Sequence, residues 1–152
     1  MDRRCTRSKP GRKGQKVRII RRFAGATMDF QPHLAEVCES VEGALACTLM
    51  GVDGIEVDTH VHPQRGQQAV VDLDMKSLLV EYSGVFRGAR EAAEAHQAGG
   101  VAEVSISTDK VLTVARLVTP EYFVVVALAP DGNLGKARFK LRVAAPLLRA
   151  EL

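Results

Sequence analysis

Asp58, His60 and His62 fall two residues apart in the segment Ile55–His62. On an extended strand this spacing puts all three on one face, about 6.6–7 Å apart along the chain. Two imidazoles and a carboxylate so placed are a possible metal-binding set. No third or fourth ligand follows at a recognisable distance, and a charged outer face also protects an edge strand from unwanted pairing. The segment Gly132-Asn133-Leu134-Gly135-Lys136 lies where phosphate loops occur, between an expected strand and an expected helix. It is shorter than G-x-x-x-x-G-K, and Ala137 stands where Ser or Thr would hold magnesium. No Ser or Cys nucleophile has a base at recognisable spacing, and no carboxylate pair sits in an apolar setting. The reading is of a non-enzyme with no catalytic residues, no metal and no cofactor.

The frame around these residues follows from composition. The chain has 152 residues, of which 46% are hydrophobic, enough for one domain with a proper core. No apolar run reaches 18 residues and no apolar segment follows the basic start, so neither a membrane span nor a secretory signal is expected. Three cysteines, Cys5, Cys38 and Cys47, are an odd number without metal spacing, which fits free thiols and a cytoplasmic location.

The net charge of +3 hides an asymmetry. Residues 1–27 hold ten basic side chains and one acid, giving +9, so the remainder carries −6. With Pro10, Gly11, Gly14 and Gly25 among the charges, residues 1–27 read as a disordered basic extension and residues 28–152 as the folded domain. Met28 also offers a second possible translation start.

From Phe30 the periodicity is legible. Phe30, Leu34, Val37 and Val41 form a helical stripe, with Pro32 in the first turn and Gly43 at the end. Ala44–Met50 and Ile55–His62 read as a hairpin around Gly51-Val52-Asp53-Gly54. In the second strand Ile55, Val57, Thr59 and Val61 are expected to face the core. A long helix is expected over Leu73–His96, capped by Asp72 or Asp74 and stopped by Gly99-Gly100. Its inward stripe runs Met75, Leu78, Leu79, Tyr82, Val85, Phe86, Ala89, Ala92 and Ala93. Strands over Val101–Thr108, Lys110–Val118 and Tyr122–Ala129 follow, then a helix with Leu134, Ala137, Leu141, Ala144, Ala145 and Leu148 inward. Tyr122–Ala129 is apolar throughout and belongs in the sheet centre; Ile55–His62 and Val101–Thr108 each have a polar side and read as the edges. The fold class is α+β, a five-stranded antiparallel sheet with helices on both faces in the order α-β-β-α-β-β-β-α.

In the long helix Gly84 and Gly88 lie four residues apart, each costing about 1 kcal/mol relative to alanine. Ser77, Glu81 and Ala95 share their side, and this stripe of small residues suits a close-packed second copy across a twofold axis.

Three segments carry a family resemblance. Gly43-Ala44-Leu45-Ala46-Cys47-Thr48-Leu49-Met50-Gly51-Val52-Asp53-Gly54-Ile55-Glu56-Val57 resembles the opening of Roadblock (dynein light chain) domains. Glu81-Tyr82-Ser83-Gly84-Val85-Phe86 with Ala92-Ala93 resembles the middle, and Tyr122-Phe123 through Pro130-Asp131-Gly132-Asn133-Leu134-Gly135-Lys136-Ala137-Arg138-Phe139 the close. Within the family the chain looks most like the bacterial MglB-like GTPase regulators. The resemblance implies a homodimer with a continuous ten-stranded sheet, whose paired long helices dock a small Ras-like GTPase and stimulate its GTP hydrolysis. It transfers no catalytic residue. Tyr82, Arg87, Arg90 and Glu91 are the candidate partner contacts, with Arg87 and Arg90 read on the outer side of the helix. The alternatives are a non-catalytic scaffold, or nucleic-acid binding by the basic tail. Against nucleic acid stand the acidic domain and a tail with Phe23 as its one aromatic. Which process is served, cell polarity or motility, is left open.

Overall fold

The computed structural model describes residues 22–23 and 26–152. The disorder expected of residues 1–27 therefore concerns mainly residues outside those described. The four described there form two short strands, β1 (Arg22–Phe23) and β2 (Ala26–Thr27), paired antiparallel.

The domain that follows comprises α1 (Gln31–Ser40), β3 (Ala44–Gly51), β4 (Glu56–Val61), α2 (Gly66–Asp72) and α3 (Met75–Ala95). It ends with β5 (Glu103–Ser107), β6 (Leu112–Thr119), β7 (Tyr122–Leu128) and α4 (Leu134–Glu151). The five long strands form one antiparallel sheet in the order β4-β3-β7-β6-β5. The wholly apolar β7 is central, β6 lies inside, and β4 and β5 are the edges, as their patterning requires.

Each face of the sheet has its own core. On one, α1 and α4 bury Leu34, Val37, Cys38, Ala137, Leu141 and Leu148 against Val114, Val118, Val124 and Val126. On the other, Met75, Leu79 and Phe86 of α3 cover Phe123, Val125, Ala127 and Ala115. The anchor there is Phe86, stacked on Phe123 with ring centroids 5.1 Å apart and planes inclined by 14°. Alternation along β7 places Phe123 and Val125 under α3, and Val124 and Val126 under α1 and α4.

Four expectations need correction. The segment before the long helix is helical too, so the order gains α2. Leu73 and Asp74 separate α2 from α3, and Asp74 takes a left-handed φ of 42° instead of capping α3 with its side chain. In β4, Ile55, just before β4, and Val57 within it do not reach the core, being 66% and 42% exposed. The edge extends beyond the cover of α3, whereas α1 covers the opposite face, where Gln31 Nε2 donates to Asp58 Oδ1 at 2.5 Å. Val85, at 50% exposure, and Ala92, also exposed, lie outside the inward stripe of α3, which runs through Met75, Leu79, Ser83 and Phe86.

Candidate functional site

The three residues nominated for metal are engaged separately. Asp58 accepts from Gln31, and His60 Nε2 meets Glu39 Oε1 at 3.0 Å. His62 Nδ1 accepts from the backbone N–H groups of Gln64 and Arg65 at 3.2 and 3.1 Å. Among the described residues no three His, Cys, Asp or Glu side chains gather in a metal-holding group.

The glycine-rich segment after β7 is occupied by structure. Asn133 Oδ1 caps α4 by accepting from the Lys136 N–H at 3.0 Å. The Asn133 N–H donates to Glu42 O at 2.9 Å, and Ala129 N–H to Gly43 O at 2.8 Å. Lys136, the residue a phosphate loop would use, pairs with Glu42 at 3.1 Å. Cys38 and Cys47 are buried; burial pushes the Cys38 thiol up to about 11 and that of Cys47 well above the usual thiol range.

The remaining candidate is the outer surface of α3, a helix of 21 residues and roughly 32 Å. At 100° per residue, Ser77, Glu81, Gly84, Gly88, Glu91 and Ala95 fall on the ridge opposite the buried stripe, and Arg87 on its flank next to Ser83. All are exposed except Gly84, which is half-buried. A Cβ added at Gly88 would meet nothing within 4 Å, and one at Gly84 only the Arg87 guanidinium at 3.8 Å. Packing within this chain therefore does not require glycine at either position.

Two of the nominated partner residues lie elsewhere. Tyr82 is half-buried and packs on the core beneath α3. Arg90, read as outward, is in phase with the buried Leu79 and Ser83, and it donates from Nη1 to Pro120 O at 2.8 Å. Glu91 remains on the ridge and Arg87 on its flank, both exposed.

Sequence reasoning missed the apolar border of this ridge, formed by Val80 and Ile55 at 42% and 66% exposure. The turn before β4 brings them near each other. Gly54 stands so close to α3 that its Cβ would lie 3.1 Å from Ser83 Oγ and 3.5 Å from Val80 Cγ1. The available signal was Val80, which sits one turn before Gly84 and off the inward stripe.

The two sheet edges also differ. At β4, Gln31 Nε2 donates to Thr59 O at 3.1 Å, so α1 takes one of the strand's main-chain acceptors. At the opposite end β5 pairs only with β6 among the described strands. An edge left unpaired in this way is a template for another strand.

Among solved structures, MglC from Myxococcus xanthus is 50% identical to this chain, the match covering 81% of it and 98% of MglC at a TM-score of 0.59. A Roadblock/LC7 domain from Streptomyces avermitilis matches at 14% identity, 80% and 96% coverage and a TM-score of 0.67. The chain belongs to the Roadblock family. MglB from Myxococcus xanthus shares the Roadblock fold at 18% identity, 80% and 95% coverage and a TM-score of 0.63. No family model and no curated protein matches the sequence. No described helix of this Roadblock chain is long and apolar enough to cross a membrane.

Proposed function

We propose that this Roadblock chain is a cytoplasmic homodimeric adaptor whose paired α3 helices present a docking face to a small Ras-like GTPase. Two copies join through the β5 edges into a ten-stranded sheet, with the ridges of Ser77, Glu81, Gly84, Gly88 and Ala95 facing each other. The observation that carries this reading is the pair of glycines that nothing in their own chain requires. Each weakens the helix by about 1 kcal/mol relative to alanine, and a close second helix is the arrangement that would recover the loss. Arg87 and Glu91, exposed beside the seam, are the charged groups available to steer a partner. By the family resemblance, any effect on GTP hydrolysis would come from repositioning the GTPase's own residues rather than from an inserted arginine.

Light scattering of the wild type and a Gly84→Leu/Gly88→Leu variant tests the dimer. A wild-type dimer and a monomeric or aggregated variant are expected, and an unchanged dimer refutes the seam. Pull-down with the cognate Ras-like GTPase, loaded with GDP or with a GTP analogue, tests the partner. Failure in both states removes it.

A second reading, a scaffold that binds without stimulating hydrolysis, is favoured by the distribution of identity. The half-identical relative is MglC, whereas the MglB structure resembles this chain only in fold. Turnover of GTP measured with and without saturating Roadblock chain separates the two readings. A gel shift comparing the full chain with one beginning at Met28 tests the nucleic-acid alternative for the tail.

A further inference from the structure

The outward side of α4 does not look like the surface of an ordinary exposed helix. Its inward side is complete, with Ala137, Leu141, Ala144, Ala145 and Leu148 all buried. Yet Phe139, Val143 and Leu147, spaced by four, remain 58%, 50% and 49% exposed. They form a ridge about 12 Å long, where a surface helix normally carries polar residues. A cleft of about 50 Å³ between α1 and α4, lined in part by His33, Val37, Val143 and Leu147, notches one side of this ridge. A contiguous apolar patch with a charged rim is the mark of an interaction surface.

The rim indicates the partner's chemistry. Helix α4 carries Lys136, Arg138, Lys140, Arg142 and Arg149 against a single acid, Glu151. Lys140 bridges to Glu36 of α1, and Lys136 to Glu42 in the corner that follows it. Arg138 must share Glu103 with Arg116, leaving two guanidiniums on one carboxylate. Arg142 is exposed and has no hydrogen-bond or ion-pair partner among the described residues. The flank away from α1 thus has uncompensated positive charge.

We propose that this ridge docks an acidic amphipathic helix of a protein partner. Its apolar side chains rest on Phe139, Val143 and Leu147, and its carboxylates face Arg142 and Arg138. The site lies across the sheet from α3 and does not depend on the GTPase reading. An anionic bilayer fits less well, because Lys136 and Lys140 are already neutralised by Glu42 and Glu36, which leaves free cations on one flank of the ridge only. A second copy of this chain would bring the same excess of cations against itself.

The test uses the full chain and a fluorescent designed peptide, helical, with leucines spaced by four and glutamates flanking them. Wild type is expected to bind it saturably. Arg142→Glu should weaken binding about tenfold, and Phe139→Ser/Val143→Ser should abolish it. Lys76→Glu, which alters only an exposed position on the opposite face, should bind as wild type does, so failure of the α3 reading is seen separately. The same peptide with lysines replacing the glutamates should not bind. The proposal is overturned if the acidic peptide fails to bind or binds all variants equally. It is also overturned if the ridge variant instead loses flotation with phosphatidylglycerol vesicles or loses a self-associated species in light scattering. Because the substituted side chains are exposed, unchanged circular dichroism is expected and rules out unfolding as the cause.

Discussion

Gly43 and Gly132, 89 positions apart in the sequence, touch backbone to backbone: a Cβ placed on Gly43 would lie 2.5 Å from the Gly132 Cα. The contact joins the α1–β3 corner to the β7–α4 turn, and two main-chain hydrogen bonds flank it. Gly43 also has a φ of +83°, which costs other residues about 1–2 kcal/mol. Gly43→Ala should therefore lose more than about 2 kcal/mol, since the steric clash adds to the left-handed strain. Asn tolerates that φ but carries a Cβ, so Gly43→Asn should be destabilised nearly as much. Urea midpoints measure both; a near-normal Asn variant would show that φ alone governs the site.

Phe86 is the anchor of α3, 1% exposed and stacked on Phe123. Phe86→Ala should cost on the order of 3–5 kcal/mol, the range for removing a buried aromatic ring. Phe139→Ala, at a position 58% exposed, should change stability by only about 0.5 kcal/mol. Chemical denaturation gives both numbers. If Phe86→Ala costs under about 1 kcal/mol, α3 is held to the sheet by something other than this stack.

Much of this architecture was readable because burial leaves a pattern in the sequence. Tyr122–Leu128 has no polar residue after Tyr122, and only the sheet centre covers both faces of such a strand. The stripe of Leu134, Ala137, Leu141, Ala144, Ala145 and Leu148 likewise marks α4. What escaped notice depends on tertiary context. Helix α2 is seven residues long, lacks a side-chain cap and contains Val70-Val71, so local propensity does not announce it. Ile55 and Val57 alternate like core residues, but alternation cannot say how far the covering helix extends. Arg90 is an exception, because at 100° per residue it falls in phase with the buried Leu79 and Ser83, and periodicity alone separates it from Arg87. The glycines of α3 were visible as a cost; that nothing in their own chain requires them needed coordinates.

Acid should loosen the domain in two steps of defined sign. The His62 pKa is held below 6.5, chiefly by burial and then by the Arg65 guanidinium, while its Nδ1 accepts two backbone N–H groups. The unfolded state takes up this proton first, so the contribution of neutral His62 is present above 6.5 and declines as pH falls through the lower folded value. Glu36 and Glu42 lie below 4.5: the Lys140 hydrogen bond is the main cause for Glu36, and a hydrogen bond to its own backbone N–H, then Lys136, for Glu42. Their contribution is present above 4.5 and declines as pH falls through the folded values. Both glutamates are exposed, so this second step should be small. Urea midpoints across the acid range should fall less steeply below 4.5 in Glu36→Gln/Glu42→Gln than in wild type. Parallel curves would mean that the Glu36–Lys140 and Glu42–Lys136 ion pairs add nothing.

Cys38 and Cys47 should be chemically silent until the domain opens. Thiol–disulfide chemistry proceeds through the thiolate, and burial, assisted by Glu39 and opposed by Arg65, pushes Cys38 up to about 11. At pH 8 only about one thiol in a thousand would then be ionised at that site. Cys47 is also raised, by its own burial and then by the neighbouring Cys38. In a Cys5→Ser variant, which leaves just these two thiols, an aromatic disulfide reagent should release almost no colour from native protein. Two equivalents should appear once urea unfolds it. Labelling should then follow the opening of the α1–β3 core, and Gly43→Ala, by weakening that corner, should accelerate it. Rapid labelling of both thiols in the folded wild type would mean that the layer over β3 opens far more readily than its packing implies.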